Sequence, residues 1–486
     1  MTSTRNVIKK IIPTKIFRVI EPFGHLVEAV IANIWYGFPS RGMHVIGVTG
    51  TNGKTTTTFL IHKMLHNAIY KVGMLSTIGY GAGDDINPQL EHITTAQSGK
   101  LQKRLRDFKR AGIKWVVIES SSHSLAQHRV WGVPFEIAVM TNVTNDHLDY
   151  HGTFDKYLTA KLRLFKLASK NGRKLGIVNA DDPNAQNFID NIPQSITYGI
   201  KAGEIRATNL DLAVDRSTFQ VNYGEEQYNI CINIPGDFNV SNALAAITVG
   251  IELGLTKGQI ERGIAALANV EGRMTFVDEG QKFNVIIDFA STPDAFERLL
   301  ASVRPIVKGN LIVVFGSAGR RDESKRSVQG QIASRYCDVI ILTEEDNRDV
   351  DGNIILEQIA EGVKKSAKFT ADNLFLVPNR EKAIESALGY ANNSDDMVLL
   401  LGKGHEKTIE RADGVYPWDE TEITRKLLRS IKIKQSKIVI EPIEPKEPIE
   451  STEPVETVEV IEPKKPKKTI KLKKSKKSKK SKKIKK

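Results

Sequence analysis

Between His44 and Thr58 the chain reads His-Val-Ile-Gly-Val-Thr-Gly-Thr-Asn-Gly-Lys-Thr-Thr-Thr-Thr. The apolar run 45–48 predicts a buried parallel strand, and Gly50 and Gly53 bracket a tight turn. Phe59, Leu60, Met64, Leu65, Ala68 and Ile69 then fall on one helical face. A strand, a glycine-rich turn and a helix in that order aim backbone N–H groups and a helix N-terminus at one spot. That arrangement suits the phosphates of a nucleoside triphosphate. Lys54 would reach the outer phosphates and the Thr55 hydroxyl would take a place on Mg²⁺. The pattern G-x-x-x-x-G-K-[ST] is not met in full, because Val48 stands where the first glycine belongs. Spacing and context still favour ATP binding over a structural turn with an exposed lysine.

Glu119 closes the run Trp-Val-Val-Ile-Glu and is followed by Ser120, Ser121, Ser122 and His123. A carboxylate so placed can take Mg²⁺ directly or through water; capping the next helix is the competing role. The following run ends in Thr141-Asn142-Val-Thr-Asn-Asp146-His147-Leu-Asp149-Tyr-His151-Gly152-Thr153, a polar loop read as a metal or phosphate rim with His147 in a site role. Lys161 falls on a helix expected over 153–169 and by itself reads as a solvated surface lysine.

The elements that must position these groups alternate. Strand-like runs at 45–49, 115–119, 137–142 and 175–179 are interleaved with helical patterns over 43–272, which predicts a parallel sheet with helices on both faces. A second series, 285–288, 311–316, 339–343 and 397–402, predicts another α/β domain over 273–433. Polar or glycine-rich residues follow most of these strands, and ligands of open α/β sheets bind at such carboxyl ends. Residues 1–42 are expected to form helical pieces around 16–20 and 26–35, packed on the next domain; a helix lying on a membrane surface is the alternative.

At 486 residues the chain has length for two or three domains. Two cysteines, Cys231 and Cys337, exclude a disulfide framework and a four-cysteine zinc site, and fit a reducing cytoplasm. No run approaches the ~20 apolar residues of a membrane span, and Pro13, Lys15, Arg18 and Glu21 interrupt any signal peptide. The formal charge of +13 is a property of the end of the chain: removing the 15 lysines of 464–486 leaves −2. Residues 434–486 are low in complexity and expected to be disordered. A glutamate at every third position from Glu441 to Glu462 fits an extended linker. The lysine-rich end then suits a polyanion or folds back on those acids; no specific nucleic acid is expected.

Taken together, Gly50-Thr-Asn-Gly-Lys-Thr55, Glu119-Ser-Ser-Ser-His123, the loop 141–152 and Ala160-Lys161 resemble the Mur ligases, the ATP-dependent enzymes that build the peptide stem of peptidoglycan. Pro235-Gly-Asp-Phe-Asn-Val-Ser-Asn-Ala-Leu-Ala-Ala246, Glu271-Gly-Arg273-Met274, Asp288-Phe-Ala-Ser-Thr-Pro-Asp294 and Gly402-Lys-Gly-His-Glu406 extend the resemblance over about 43–433. Gly402-Lys-Gly-His-Glu406 and Gln127-His-Arg129-Val look like the branch that adds the third residue to a UDP-N-acetylmuramoyl-L-Ala-D-Glu precursor. The implied fold is a P-loop ATPase-type central domain followed by a Rossmann-like C-terminal domain. The implied reaction forms an acyl phosphate from ATP, which an amino-acid amine then displaces. By the same resemblance Gly50, Thr51, Asn52, Gly53, Lys54, Thr55 and Thr56 hold the phosphates, and Asn239 and Asn242 lie near the adenine. Arg273 and Asp288 reach the nucleotide from the C-terminal domain. Thr55, Glu119, His147 and Lys161, the last as a carbamate, would hold Mg²⁺, and Lys54, Glu119, His147 and Lys161 would carry catalysis. Thr94, Thr95, Ser121, Ser122, Gln127 and Arg129 would hold the sugar-peptide; Arg348, Gly402 and Glu406 would hold the incoming amino acid.

Four departures bear on the substrate. Residues 1–42 leave no room for the family's N-terminal uridine-binding domain, and Ala96 stands where these ligases usually have proline. Ser291 replaces a usual histidine and Arg320 an acid. Glu345-Asp-Asn-Arg348 lacks the proline of the family's Asp-Asn-Pro-Arg motif. Two other readings therefore stand beside the third-residue ligase. One is an amide-forming enzyme with another acceptor, such as the glutaminase-partnered relatives; the other is a non-enzymatic nucleotide-binding scaffold carried to polyanions by its tail.

Overall fold

The computed structural model describes residues 14–68, 70–89 and 93–438. Eleven strands form the first sheet: β1 (His44–Thr49), β2 (Val72–Leu75), β3 (Gly79–Ala82), β4 (Asp85–Pro88), β5 (Trp115–Glu119), β6 (Phe135–Met140), β7 (Leu175–Asn179), β8 (Gln194–Gly199), β9 (Ile205–Leu212), β10 (Ser217–Tyr223) and β11 (Glu226–Ile232). Their order is β11-β10-β9-β8-β7-β6-β1-β5-β2-β3-β4. The seven strands from β9 to β2 run parallel. The outer ones are antiparallel hairpins, which the alternation of strands and helices did not foretell. β1 lies between β5 and β6, where the strand order reverses, so its carboxyl end opens on the crevice in which such sheets hold ligands.

The second sheet contains β12 (Thr275–Phe276), β13 (Asn284–Asp288), β14 (Leu311–Phe315), β15 (Val339–Leu342), β16 (Leu374–Leu376) and β17 (Met397–Leu401). Their order is β12-β13-β17-β14-β15-β16, parallel except for β12. One apolar cluster runs through both sheets. It contains Ile46 and Leu60 beside β1, Val240 and Leu244 on the helix Asp237–Glu252, and Ile286, Phe296 and Phe315 around the second sheet. Burial of β1 except at its first residue explains its continuous apolar sequence.

The predicted strand over 137–142 stops at Met140, because Thr141 and Asn142 turn their polar groups onto the loop after β1. The helix predicted over 153–169 is Phe154–Ala168, capped by the Thr153 side chain. The two helical pieces expected at 16–20 and 26–35 are one continuous helix, Thr14–Trp35. It packs against the helix Ser98–Arg110, with Ala29, Ala32 and Asn33 buried. At the other end the helix Glu420–Ile438 carries regular structure past residue 434, which composition had assigned to the tail. The tail expectations for 439–486 lie outside the described residues, as does Ile69 of the helical face read after the glycine turn.

Candidate active site

The loop after β1 is held from three sides. Gly50 and Gly53 adopt positive φ, +155° and +81°, and neither position has room for a side chain. A Cβ on Gly50 would stand 1.8 Å from Thr141 Oγ1, and one on Gly53 2.2 Å from Asn242 Oδ1. Thr51 N–H donates to the Asn142 carbonyl at 2.7 Å, and Asn52 N–H to Asn142 Oδ1 at 2.9 Å. Thr141 Oγ1 donates to the Asn52 carbonyl at 2.6 Å. Lys54 begins the helix Lys54–Asn67, and its Nζ donates back to the Thr51 carbonyl at 2.8 Å. Of that helix, Thr55, Thr56, Leu60, Met64 and Leu65 are buried and Phe59 is half-buried.

Register across the parallel strands delivers the next groups. Val48 of β1 pairs with Glu119 of β5, so the Glu119 carboxylate arrives beside the loop. Its Oε1 accepts from Thr55 Oγ1 at 3.0 Å and from Thr77 Oγ1 at 2.9 Å, and Oε2 accepts from Thr77 N–H at 2.9 Å. Thr77, in the turn between β2 and β3, carried no sequence signal.

Lys161 is the clearest case of burial deciding a residue's meaning. The inward stripe of its helix is Tyr157, Ala160, Lys161, Leu164, Phe165 and Ala168, so Lys161 is 1 % exposed rather than solvated. That apolar stripe was the available signal. The helix crosses β1 so closely that a Cβ on Gly47 would meet Leu164 at 2.6 Å and Phe135 at 2.8 Å. The close crossing lets Lys161 Nζ donate to the Gly50 carbonyl, with the ammonium 4.4 Å from the Tyr157 ring centroid. Burial, and secondarily the Lys54 charge, hold the Lys161 amine well below the usual lysine range. Lys54 is also lowered, first by burial, with Glu119 opposing.

His147 takes positive φ at the start of the short helix Leu148–His151, 3.4 Å from Asp146. Burial lowers its pKa, with Asp146 opposing and the Lys54 and Lys161 charges adding to the fall, so the ring shares their electrostatic surroundings. Its ring packs edge-on against His123 at 4.6 Å, and His123 lies tilted against Tyr150 and edge-on to His151. Burial pushes His123 down to about 3 and His151 down to about 4. Among the described residues no three His, Cys, Asp or Glu side chains converge as a ready metal site. Thr55 with Glu119 supplies one hydroxyl and one carboxylate, a donor set that suits a divalent ion completed by water and phosphate oxygens.

Asn239 and Asn242 are buried on the helix Asp237–Glu252; Asn242 Nδ2 donates to Asn239 Oδ1 at 3.0 Å, and Asn242 Oδ1 accepts from Thr57 at 3.3 Å. Arg273 comes from beyond this helix. Its guanidinium lies 4.7 Å from the Phe289 ring centroid, and its buried Nε has no hydrogen-bond partner. Burial lowers its pKa, opposed by Asp288, Glu119 and Glu406, so it is coupled to both sheets. An unsatisfied buried guanidinium N–H, in a group that shares the electrostatic surroundings of Lys54 and Glu119, fits an anionic group bound nearby. Asp288 is spent on the backbone, accepting from Met274 N–H and Ala290 N–H at 2.8 Å each. Asp294 is a residue for which no role was read. Its Oδ2 accepts from Asn52 Nδ2 at 2.8 Å and Thr144 Oγ1 at 3.0 Å, tying the helix Pro293–Val303 to the loop after β1.

On the far side of Glu119, Thr95 Oγ1 donates to its backbone carbonyl at 2.8 Å and accepts from Ser121 N–H at 3.2 Å. Arg129 donates through Nε to Gln127 Oε1 and through Nη1 to the Thr95 carbonyl, both at 2.8 Å. Ser122 Oγ lies 3.1 Å from His151 Nε2, Ser121 caps the helix Ser122–Ala126, and half-buried Thr94 adjoins Thr95. Arg348 and Glu406 do not pair with each other. Arg348 donates to Glu410 at 2.9 Å and to the Gly319 carbonyl. Glu406 accepts from the fully buried Lys403 at 2.6 Å, and Asp346 also accepts from Lys403, at 2.8 Å. Gly402, at φ +103°, follows β17 beside Glu345. Lys403 was quoted only as part of a motif, and its role in joining Asp346 to Glu406 is a tertiary fact.

Fold and site thus define a two-sheet α/β protein in which the glycine-turn loop after β1 meets groups from the second sheet. Comparison with known proteins agrees with that class. Residues 48–250 match the Mur ligase middle domain, and residues 272–404 the Mur ligase glutamate ligase domain. The chain is 40 % identical over 437 residues to a UDP-N-acetylmuramyl-tripeptide synthetase of Roseiflexus sp. (strain RS-1), covering 86 % of this chain and 85 % of that protein. It is 37 % identical over 413 residues to UDP-N-acetylmuramoyl-L-alanyl-D-glutamate–2,6-diaminopimelate ligase 1 of Clostridium acetobutylicum, covering 84 % and 83 %. A solved UDP-N-acetylmuramoyl-L-alanyl-D-glutamate–2,6-diaminopimelate ligase superposes with a TM-score of 0.58 at 30 % identity, covering 80 % of this chain and 79 % of that one. The chain belongs to the Mur ligases, a family of ATP-dependent carbon–nitrogen ligases.

Proposed function

We propose that this protein adds the third amino acid to a UDP-N-acetylmuramoyl-L-Ala-D-Glu-type precursor in peptidoglycan biosynthesis, driven by ATP. What carries the reading is the meeting of Lys54, Glu119, Lys161 and the unsatisfied Arg273 Nε at one place, in a chain with third-residue ligases among its relatives. The loop 50–56 would cradle the triphosphate, Lys54 and Arg273 would neutralise the transferring phosphoryl group, and Asn239 and Asn242 would face the base side. The precursor carboxylate attacks the γ-phosphorus, the bond to the β,γ-bridging oxygen breaks, and ADP leaves. The amino-acid nitrogen then attacks the acyl carbon, phosphate departs and the nitrogen loses a proton.

Thr55, Glu119, His147 and a carbamylated Lys161 would hold Mg²⁺, which when bound supplies charge neutralisation of the phosphates. A neutral Lys161 amine can add CO₂, forming an N–C bond and releasing a proton, and burial of the side chain favours the neutral form. Thr94, Thr95, Ser121, Ser122, Gln127 and Arg129 would bind the sugar-peptide. Arg348 and Glu406 would take the amino acid after exchanging their partners Glu410 and Lys403. We place the enzyme in the cytoplasm, on its nucleotide chemistry and its two free cysteines. The lysine-rich tail would contact polyanions. The test is phosphate release from ATP with the precursor and either lysine or meso-diaminopimelate, with mass spectrometry of the product. Turnover with one amino acid is expected; ATP binding without ligation of either would overturn the assigned acceptor.

A further inference from the structure

The helix Pro293–Val303 follows β13 and carries the second sheet's contact with the loop after β1. Its Phe296, Leu299, Leu300 and Val303 are buried in the apolar cluster that runs through both sheets. Near its far end Ser302 Oγ accepts from Asp237 N–H at 3.2 Å, at the start of the helix Asp237–Glu252. At its near end Thr292 caps the first turn and Pro293 opens it, so Asp294 stands where the helix dipole favours a carboxylate. One oxygen of that carboxylate, Oδ2, takes both hydrogen bonds, from Asn52 Nδ2 and from Thr144 Oγ1, while Arg298 Nε donates to Oδ1 at 3.3 Å. The loops that carry Asn52 and Thr144 are joined to each other without Asp294. Thr144 N–H donates to Thr51 Oγ1 at 3.0 Å, and the Asn52 carbonyl accepts from Thr141 Oγ1 and from Asn142 Nδ2. The loop after β1 therefore takes its shape from the first sheet, and Asp294 adds only the placement of the second.

We propose that Asp294 is a positioning residue that registers the amino-acid side of the reaction, carried by the second sheet, against the phosphate chemistry at the loop after β1. The inference rests on the function proposed above, in which Arg348 and Glu406 take the amino acid. Reactants held on two sheets meet only as closely as the sheets are registered, and misplacement by about 1 Å costs on the order of 100-fold in rate. Without Asp294 the acyl phosphate still forms, but the amine is poorly aligned with it. Water then attacks the acyl carbon, phosphate leaves, a proton is released and the precursor carboxylate is regenerated. The net change is ATP and water to ADP and phosphate, with no amide made.

The test compares Asp294→Ala and Asp294→Asn with the parent. The Asp294 side chain is 29 % exposed, so truncating it opens no sealed cavity. In Asp294→Ala, ATP should bind within about threefold of the parent, because the contacts that shape the loop remain. The KM for the amino acid should rise and kcat for ligation should fall, each about 10-fold, and more phosphate should be released per amide formed. Asp294→Asn keeps an oxygen that can accept from both donors and should restore most of that coupling. Amide hydrogen exchange reads the same contact whatever the substrates are. Asp294→Ala should speed exchange over 236–240, at the other end of the helix, where Asp237 meets Ser302. The proposal is overturned if Asp294→Ala keeps the parent's ratio of phosphate to amide, if Asp294→Asn behaves like Asp294→Ala, or if exchange over 236–240 is unchanged. A parent that binds ATP and ligates neither amino acid overturns the function proposed above, and the exchange result then decides on Asp294 by itself.

Discussion

A methyl group placed on Gly53 tests whether the turn after β1 is built to grip phosphate. Two costs can be read from the structure. The φ of +81° puts an L-residue in the left-handed region, at about 1–2 kcal/mol. The new Cβ would also stand 2.2 Å from Asn242 Oδ1, a buried side chain that accepts from Thr57 and donates to Asn239. Withdrawing Asn242 breaks both hydrogen bonds, at about 1 kcal/mol each. The total of about 3–4 kcal/mol is relieved if the loop leaves its phosphate-binding shape, so Gly53→Ala should lower ATP affinity by about two to three orders of magnitude. Gly112→Ala is the control: its φ is +72°, but nothing lies within 4 Å of the added carbon. It should cost stability alone, about 1–2 kcal/mol, with ATP affinity unchanged. Titration calorimetry with ATP and denaturant unfolding measure the two quantities. A Gly53→Ala protein that is folded and binds ATP within about threefold of the parent would refute this account of the turn.

Lys161→Ala should abolish ligation while leaving the protein folded, and short carboxylic acids should restore part of the rate by supplying the missing anionic oxygens; full activity of the variant would remove Lys161 from catalysis. Acid should destabilise the protein early. Burial lowers the His62 pKa to about 4, so between its unfolded value of about 6.5 and about 4 the unfolded chain holds more protons than the folded one. The stability tied to this ring is therefore complete above about pH 6.5 and falls by about 2–3 kcal/mol by pH 4.5. Denaturant unfolding across that range should show a shallower pH slope in His62→Leu, and an unchanged slope would contradict the assignment.

The parallel strands, the glycine turn, the Lys54–Thr55 pair and the family resemblance were legible because they depend on short-range rules. Apolar runs of strand length, helical periodicity and glycines at fixed spacing mean the same thing wherever they occur. Even the interrupted pattern with Val48 succeeded in placing the loop after a buried strand. The antiparallel hairpins β3–β4 and β10–β11 were not legible, since their pairing partners are chosen by sheet edges rather than by local pattern. By its own pattern Lys161 read as a surface lysine, and only the family resemblance gave it a site role; the close crossing of its helix over Gly47 buries it, and no composition rule reports how near two elements approach. Asp294 on Asn52, Thr77 on Glu119 and Lys403 between Asp346 and Glu406 are likewise contacts between segments far apart in the chain. The sequence by itself determined which residue types are present and which local elements carry them. Tertiary structure alone decided which of those residues lose water and meet, because burial and proximity are properties of packed surfaces and not of any single segment.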